Sequence, residues 1–131
     1  MSQIIYKTNP LPNNNALNAL FSSAWGGCSR KDFSRMLAHG LAHICAYDGN
    51  ALVGFVNVAW DGDAHAFILD TSVHKDYRHQ GIATALANRA AKAARQADVE
   101  WLHVDYEPHL TEFYAKCGFK PTDAGLIKLQ K

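Results

Sequence analysis

The spacing of apolar residues changes period several times along the chain, and each change marks an element. "QIIYKTN" reads as a short strand stopped by the turn formers of "PLPNNN". Asn13 to Asn15 are placed to cap a helix through "ALNALFSSAW", with Leu17, Leu20, Phe21 and Ala24 on one face. "GGC" breaks it. Ser29 and Asp32 open a second helical pattern that carries Phe33, Met36 and Leu37 and ends at Gly40. In "AHICAYDGNALVGFVNVAW" two apolar runs flank Asp48-Gly49-Asn50, a hairpin signal, and "DGD" turns the chain into a third strand, "AHAFILDTSV". A long helix is predicted from about Gln80 to Ala97, with Ile82, Leu86, Ala90, Ala93 and Ala97 as its apolar stripe and Arg89, Lys92, Arg95 and Gln96 directed away. "EWLHVDY" is a strand, Pro108 starts a short helix through "HLTEFYAK", Gly118 ends it, and "GFKP" and "GLIKLQ" read as two closing strands.

Helices alternate with strands only in the second half. That order predicts an α+β domain spanning residues 1–131. Its core is a mixed, mostly antiparallel sheet of about six to seven strands flanked by about four helices. Composition agrees: 131 residues, 48% apolar and 19% charged, suit one globular domain. The formal net charge of +1 supplies no broad basic field for nucleic acid, and no apolar run is long enough to span a membrane. Cys28, Cys45 and Cys117 form no CxxC pair, and His39 and His43 are interrupted by Gly40 without an HExxH pattern, so no disulfide framework or metal site is expected. "MSQIIYKTNP" has no signal-peptide pattern, which makes a reducing cytoplasm the expected setting.

The chemistry concentrates at the entrance of the long helix. The segment "DYRHQGIATAL" brings Arg78, His79, Gln80 and Gly81 to the first turn, where a Ser, Thr or Asp cap is normally found. Gly81 leaves the backbone open to another group, Ala83 nearly does the same, and the first-turn N–H groups converge with the positive end of the helix dipole. A phosphate suits that point, with Arg78 adding a charge-assisted hydrogen bond. The alternative is that Asp76 caps a helix starting one turn earlier. Neither a GxxxxGK[ST] loop nor a GxGxxG loop is present.

"VHKDYRHQGIATAL" resembles the acyl-CoA motif R/Q-x-x-G-x-G/A of the GNAT family of N-acetyltransferases, with Arg78, Gly81 and Ala83 at its defining positions. "FYAKCGF" is similar to the closing signature of that family, and the element order matches nearly the whole chain. The resemblance implies an acyl-CoA N-acyltransferase fold and transfer of an acetyl group from acetyl-CoA to a primary amine by direct attack in a ternary complex. It implies that the backbone of Thr71, Ser72 and Val73 pairs with the pantetheine arm on a bulged strand. The pyrophosphate then rests on the N–H groups of His79, Gln80, Gly81, Ile82, Ala83 and Thr84. Tyr114 stands where the family keeps the acid that protonates the departing thiolate, and Glu107 and Asp70 are the candidate bases. Two positions depart from the family pattern. Glu107 stands seven residues before Tyr114, where an Asn is common, and Lys75 replaces a frequent proline.

The acceptor end is less defined. The segments "FSSAWGGCSRKDF" and "VNVAWDGDAH" are expected to face the cofactor thiol, with Trp25 and Trp60 as either stacking surfaces or core residues. Asp61, Asp63, Asp105 and Glu107 are candidates to attract a cationic amine on a small molecule or peptide. No base stands beside Cys28 in the sequence to make it a nucleophile. Two other functional classes remain open: a non-catalytic acyl-CoA binding or sensing module, and a partner-binding subunit, with homodimer formation through open sheet edges compatible with each.

Overall fold

The computed structural model describes residues 3–27 and 30–130. Its elements are β1 (Ile4–Thr8), α1 (Asn14–Trp25), α2 (Ser34–His39), β2 (Ala42–Asp48), β3 (Ala51–Trp60), β4 (His65–Val73), α3 (Ile82–Gln96), β5 (Trp101–Val104) and α4 (Thr111–Lys116), with 3-10 turns at Lys75–Tyr77 and Pro108–Leu110. The sheet order is β1-β2-β3-β4-β5. The first three pairings are antiparallel, and β4 to β5 is parallel through the α3 crossover.

The central strands are apolar on both faces because both faces are covered. In β3, Leu52 to Val58 are all buried, which accounts for a continuous rather than alternating apolar run. One face, with Ile44, Val56, Val58, Ala66 and Ile68, receives Ile82, Leu86 and Ala90 of α3. The other, with Cys45, Leu52 and Phe55, receives Leu17, Leu20 and Phe33. Asn13 caps α1 by accepting from the Ala16 N–H at 2.8 Å. Asn18, buried, ties α1 to the loop before α2: it donates to the Asn14 and Lys31 carbonyls and accepts from the Lys31 N–H.

Four expectations need correction. The sheet has five strands among the described residues, not six to seven: Phe119 to Gln130 lie outside any strand, and Pro121 and Gly125 interrupt the short apolar pattern there. The long helix begins at Ile82, two residues later than predicted. Its stripe runs through Ile82, Leu86, Ala87, Ala90 and Ala94, because Ala87 and Ala94 face the sheet where Ala93 and Ala97 are only half-buried. Arg89 does not simply point away, since its guanidinium lies 4.6 Å from the Tyr6 ring centroid. Among the described residues, no helix is long and apolar enough to cross a membrane.

Candidate active site

β4 and β5 pair only from His65 to Ile68 and from Trp101 to Val104; beyond those residues they diverge. A bulge drives the divergence. Phe55 pairs with Ser72 and Asn57 with Leu69, so β4 carries one residue more than β3 over that interval. Asp70 sits in it with φ of 59°, a left-handed conformation that Asp tolerates better than most residues. The gap between the strands opens as a cleft of about 940 Å³.

One wall of the cleft is the entrance to α3. The 3-10 turn at Lys75–Tyr77 is separate from the helix; its Lys75 N–H donates to the Ser23 hydroxyl and its Asp76 N–H to His74 Nδ1. Asp76 therefore caps nothing one turn earlier. Gly81 is the N-cap of α3, with φ of +83° and no side-chain cap, and a Cβ there would meet open space. The N–H groups of the first turn of this 15-residue helix thus face the cleft without a side-chain acceptor. Arg78 and His79 border the same wall, and the Arg78 guanidinium donates to the Ala24 carbonyl at 2.9 Å. Tyr77 anchors the turn by donating to the Asp48 carboxylate at 2.6 Å.

The opposite wall holds Tyr114, buried in an aromatic cluster. Tyr106 stacks on it at a centroid distance of 5.0 Å, and Phe113 and Phe119 meet it edge-on. Burial raises the phenol pKa above its ordinary value, while a hydrogen bond with the Thr71 side chain works in the opposite direction. Asp70, Asp105 and Glu107 also border the cleft. Neighbouring protein withdraws water from the Asp70 carboxyl and raises its pKa above the ordinary carboxylate value, against the lowering field of Lys31. The cleft thus carries both uncapped helix N–H groups with Arg78 and three carboxylates.

Most of the residues singled out from sequence come together here: Tyr114, Glu107, Asp70, Thr71, Val73, Arg78, His79, Gly81, Ile82, Ala83 and Thr84 all line the cleft. Ser72 and Gln80 do not. The buried Ser72 hydroxyl donates to the Asp70 carbonyl and accepts from the Trp25 indole N–H, both at 2.8 Å, so its side chain braces the bulge. Gln80 is exposed. Trp25 borders the cleft, whereas Trp60 packs against the core and Asp61 and Asp63 belong to the β3–β4 turn. Cys28 lies outside the described residues. Tyr106, His109 and Phe113 were not singled out from sequence. Strand alternation gives no signal for Tyr106, since it would set that ring on the face away from Asp105 and Glu107; the three line one cleft because the chain has left β5 after Val104.

The family model described as the acetyltransferase (GNAT) family matches residues 13–119, and the chain belongs to that family. It is 31% identical over 91 residues to streptothricin acetyltransferase A of Bacillus subtilis, covering 67% of this chain and 53% of that protein. It is 33% identical over 66 residues to mycothiol acetyltransferase of Mycolicibacterium vanbaalenii, covering 50% of this chain and 22% of that one. The chain thus spans about half or less of these relatives. A GNAT family acetyltransferase of Streptococcus pneumoniae has the same fold, with a TM-score of 0.81, 23% identity, and coverage of 98% of this chain and 100% of that one. Aminoglycoside N-acetyltransferase AAC(6')-Iy in complex with CoA superposes with a TM-score of 0.75 at 15% identity, covering 100% of this chain and 97% of that chain.

Proposed function

We propose that the chain is an acetyl-CoA-dependent N-acetyltransferase that acts in the cytoplasm on a primary amine of a small molecule or peptide. The observation that carries this reading is the uncapped entrance of α3 opening on the same cleft as the buried Tyr114 phenol. The pyrophosphate of acetyl-CoA fits the N–H groups from His79 to Thr84, with Arg78 beside it. The pantetheine arm fits along Thr71 to Val73, where β4 has left its partner β5 and offers free backbone groups.

Transfer then runs as direct attack. The ammonium of the acceptor gives up a proton to a carboxylate, and its nitrogen forms a bond to the acetyl carbonyl carbon. As the tetrahedral adduct collapses the carbon–sulfur bond breaks, the thiolate takes a proton from Tyr114, and the excess proton on the adduct nitrogen passes through water to the phenolate, which leaves the neutral amide and restores the acid. A phenol held above its ordinary pKa remains protonated at neutral pH and ready to donate. Asp70, whose carboxyl has a raised pKa, is the better base of the two candidates, and Glu107 serves to hold the cationic amine. That assignment also gives Glu107 a use at the position where the family commonly has Asn.

Release of CoA thiol from acetyl-CoA across a panel of polyamines, aminoglycosides, amino acids and peptides tests the reading. Amine-dependent release that is lost in Tyr114→Phe supports it. A protein that binds acetyl-CoA yet releases thiol with no amine, in either form, is a binding or sensing module instead.

A further inference from the structure

His65 of β4 and His103 of β5 are 38 residues apart in the sequence and meet in space, with His65 Nδ1 2.8 Å from His103 Nε2. The parallel register sets His65 opposite Trp101 and Phe67 opposite His103, so the two imidazoles reach each other diagonally across one strand pair. Ala66 and Ile68, which alternate with His65 along β4, are buried in the core that α3 covers. The imidazoles therefore project from the opposite face, where His103 is exposed and His65 half-buried. Spacing along the chain gives no sign of this pair, because its members come from different strands.

The surroundings hold the pair in place. Phe67 stacks on the His103 ring with 4.6 Å between centroids and 21° between planes, which restricts that ring. Asp61 accepts from the Asp63 and His65 N–H groups. Those bonds, the one from Asp63 first, hold its carboxyl below the ordinary pKa, and the His65 ring adds to the effect. A negative charge thus stands near His65 at neutral pH.

We infer that His65 and His103 form a two-histidine site for a divalent transition-metal ion of the zinc class. Between two imidazole nitrogens this close, one ring donates its N–H and the other accepts. A metal ion takes the place of that proton, which passes to solvent, and each nitrogen then gives a lone pair to the ion. Zinc binds histidine nitrogen at about 2.0–2.1 Å, so two such nitrogens on a tetrahedral ion sit about 3.3 Å apart. The two rings need to part by only about 0.5 Å to reach that geometry, a small side-chain rotation. Neutral imidazole suits zinc, nickel and copper, whereas magnesium and calcium prefer oxygen donors. Among the described residues, no group of three or more His, Cys, Asp and Glu side chains gathers to hold a metal, so solvent fills the remaining positions. The ion ties β4 to β5 beside Ile68 and Val104, the last pair before the strands diverge. Neither histidine of the pair lines the cleft, so the inference is independent of the acetyl-transfer reading.

Calorimetric titration of the full chain with zinc chloride, in a buffer that does not bind zinc, tests it. Wild type should give saturable heat with one zinc ion per chain, and magnesium chloride should give none. His65→Asn and His103→Asn should each weaken zinc binding at least about tenfold, with an unchanged circular dichroism spectrum. Nitrogen-15 spectra of the wild-type imidazoles locate the ion without any substitution: the His65 Nδ1 and His103 Nε2 signals should move on addition of zinc. The absence of saturable zinc heat below millimolar concentration overturns the inference. Zinc binding that survives either substitution overturns it, as do nitrogen signals that stay in place, because the ion then lies elsewhere. Magnesium binding as tight as zinc binding overturns it too, since imidazole would not then be the ligand.

Discussion

Ile82 reaches the sheet through the space that Gly54 leaves: a Cβ at Gly54 would come within 2.9 Å of Ile82 Cγ2, 3.1 Å of Ala46 Cβ and 3.2 Å of Leu86 Cδ1. A missing side chain on β3 thus lets the first turn of α3 sit down on the core, and that turn carries the N–H groups that face the cleft.

Gly54→Ala is therefore an overpacking change with a functional consequence. It should destabilise the fold by about 1–3 kcal/mol, seen as a lowered Tm in scanning calorimetry. Acetyl-CoA affinity should fall with it, because the helix entrance is displaced. An unchanged Tm would show that α3 is not seated as tightly as described.

Tyr114→Phe removes one oxygen and leaves the aromatic stack with Tyr106. Acetyl-CoA binding should be retained, while kcat falls by about 10²–10⁴, the usual contribution of a positioned proton donor. The wild-type rate should be lost at high pH only above the ordinary tyrosine value, since burial raises the phenol pKa and the acid must keep its proton. Steady-state rates against pH for both proteins give the answer; equal kcat values would remove Tyr114 from the chemistry.

The two carboxylates separate by kinetic parameter. Asp70→Asn keeps a residue that tolerates the positive φ at this position, so the bulge should survive. It should lower kcat by about 10²–10⁴ if Asp70 is the base. A base must be unprotonated, so the wild-type rate should rise with pH through a value above the ordinary 3.8, the direction in which desolvation moves this group. Glu107→Gln should instead raise KM for the amine with kcat little changed. The reverse pattern would exchange their roles.

Alkaline stability has a defined source in the core. Burial pushes the Cys45 thiol up to about 12 from its ordinary 9.0, partly opposed by a hydrogen bond with Tyr47, which is itself raised to about 12. The unfolded chain loses the thiol proton near pH 9 while the native protein holds it, so ionisation favours unfolding. Stability should be complete below about pH 9 and decline between 9 and 12. Denaturant midpoints measured over that range should fall less steeply for Cys45→Ala, whatever its absolute stability. Parallel slopes would contradict the assignment.

Local chemistry made much of this legible in the sequence. Asn13 as a cap, the Asp48-Gly49-Asn50 hairpin and the missing cap before Ile82 each depend on residues within one turn of one another. The family signature adds the long-range arrangement that periodicity does not contain, since Gly81 and Tyr114 line one cleft. Features set by tertiary packing were harder to read. Ser72 braces a bulge through Trp25, far away in sequence, and nothing in "DTSV" announces that partner. The closing segment shows the same limit: "GLIKLQ" has strand composition, yet residues 119–130 lie outside any strand, and Pro121 and Gly125 interrupt the apolar pattern there.

The central claim is that acetyl-CoA supplies the acceptor missing at the entrance of α3, and calorimetric titration with acetyl-CoA tests it most directly. Wild type should bind with saturable heat and gain roughly 2.7 kcal/mol of stability at a hundred times the dissociation constant. Gly81→Glu, strained by the φ of +83° but still folded, should lose that binding, because its carboxylate occupies the positive helix end, where a Cβ meets open space. The absence of heat or thermal shift in wild type, or equal affinity in Gly81→Glu, would contradict the account.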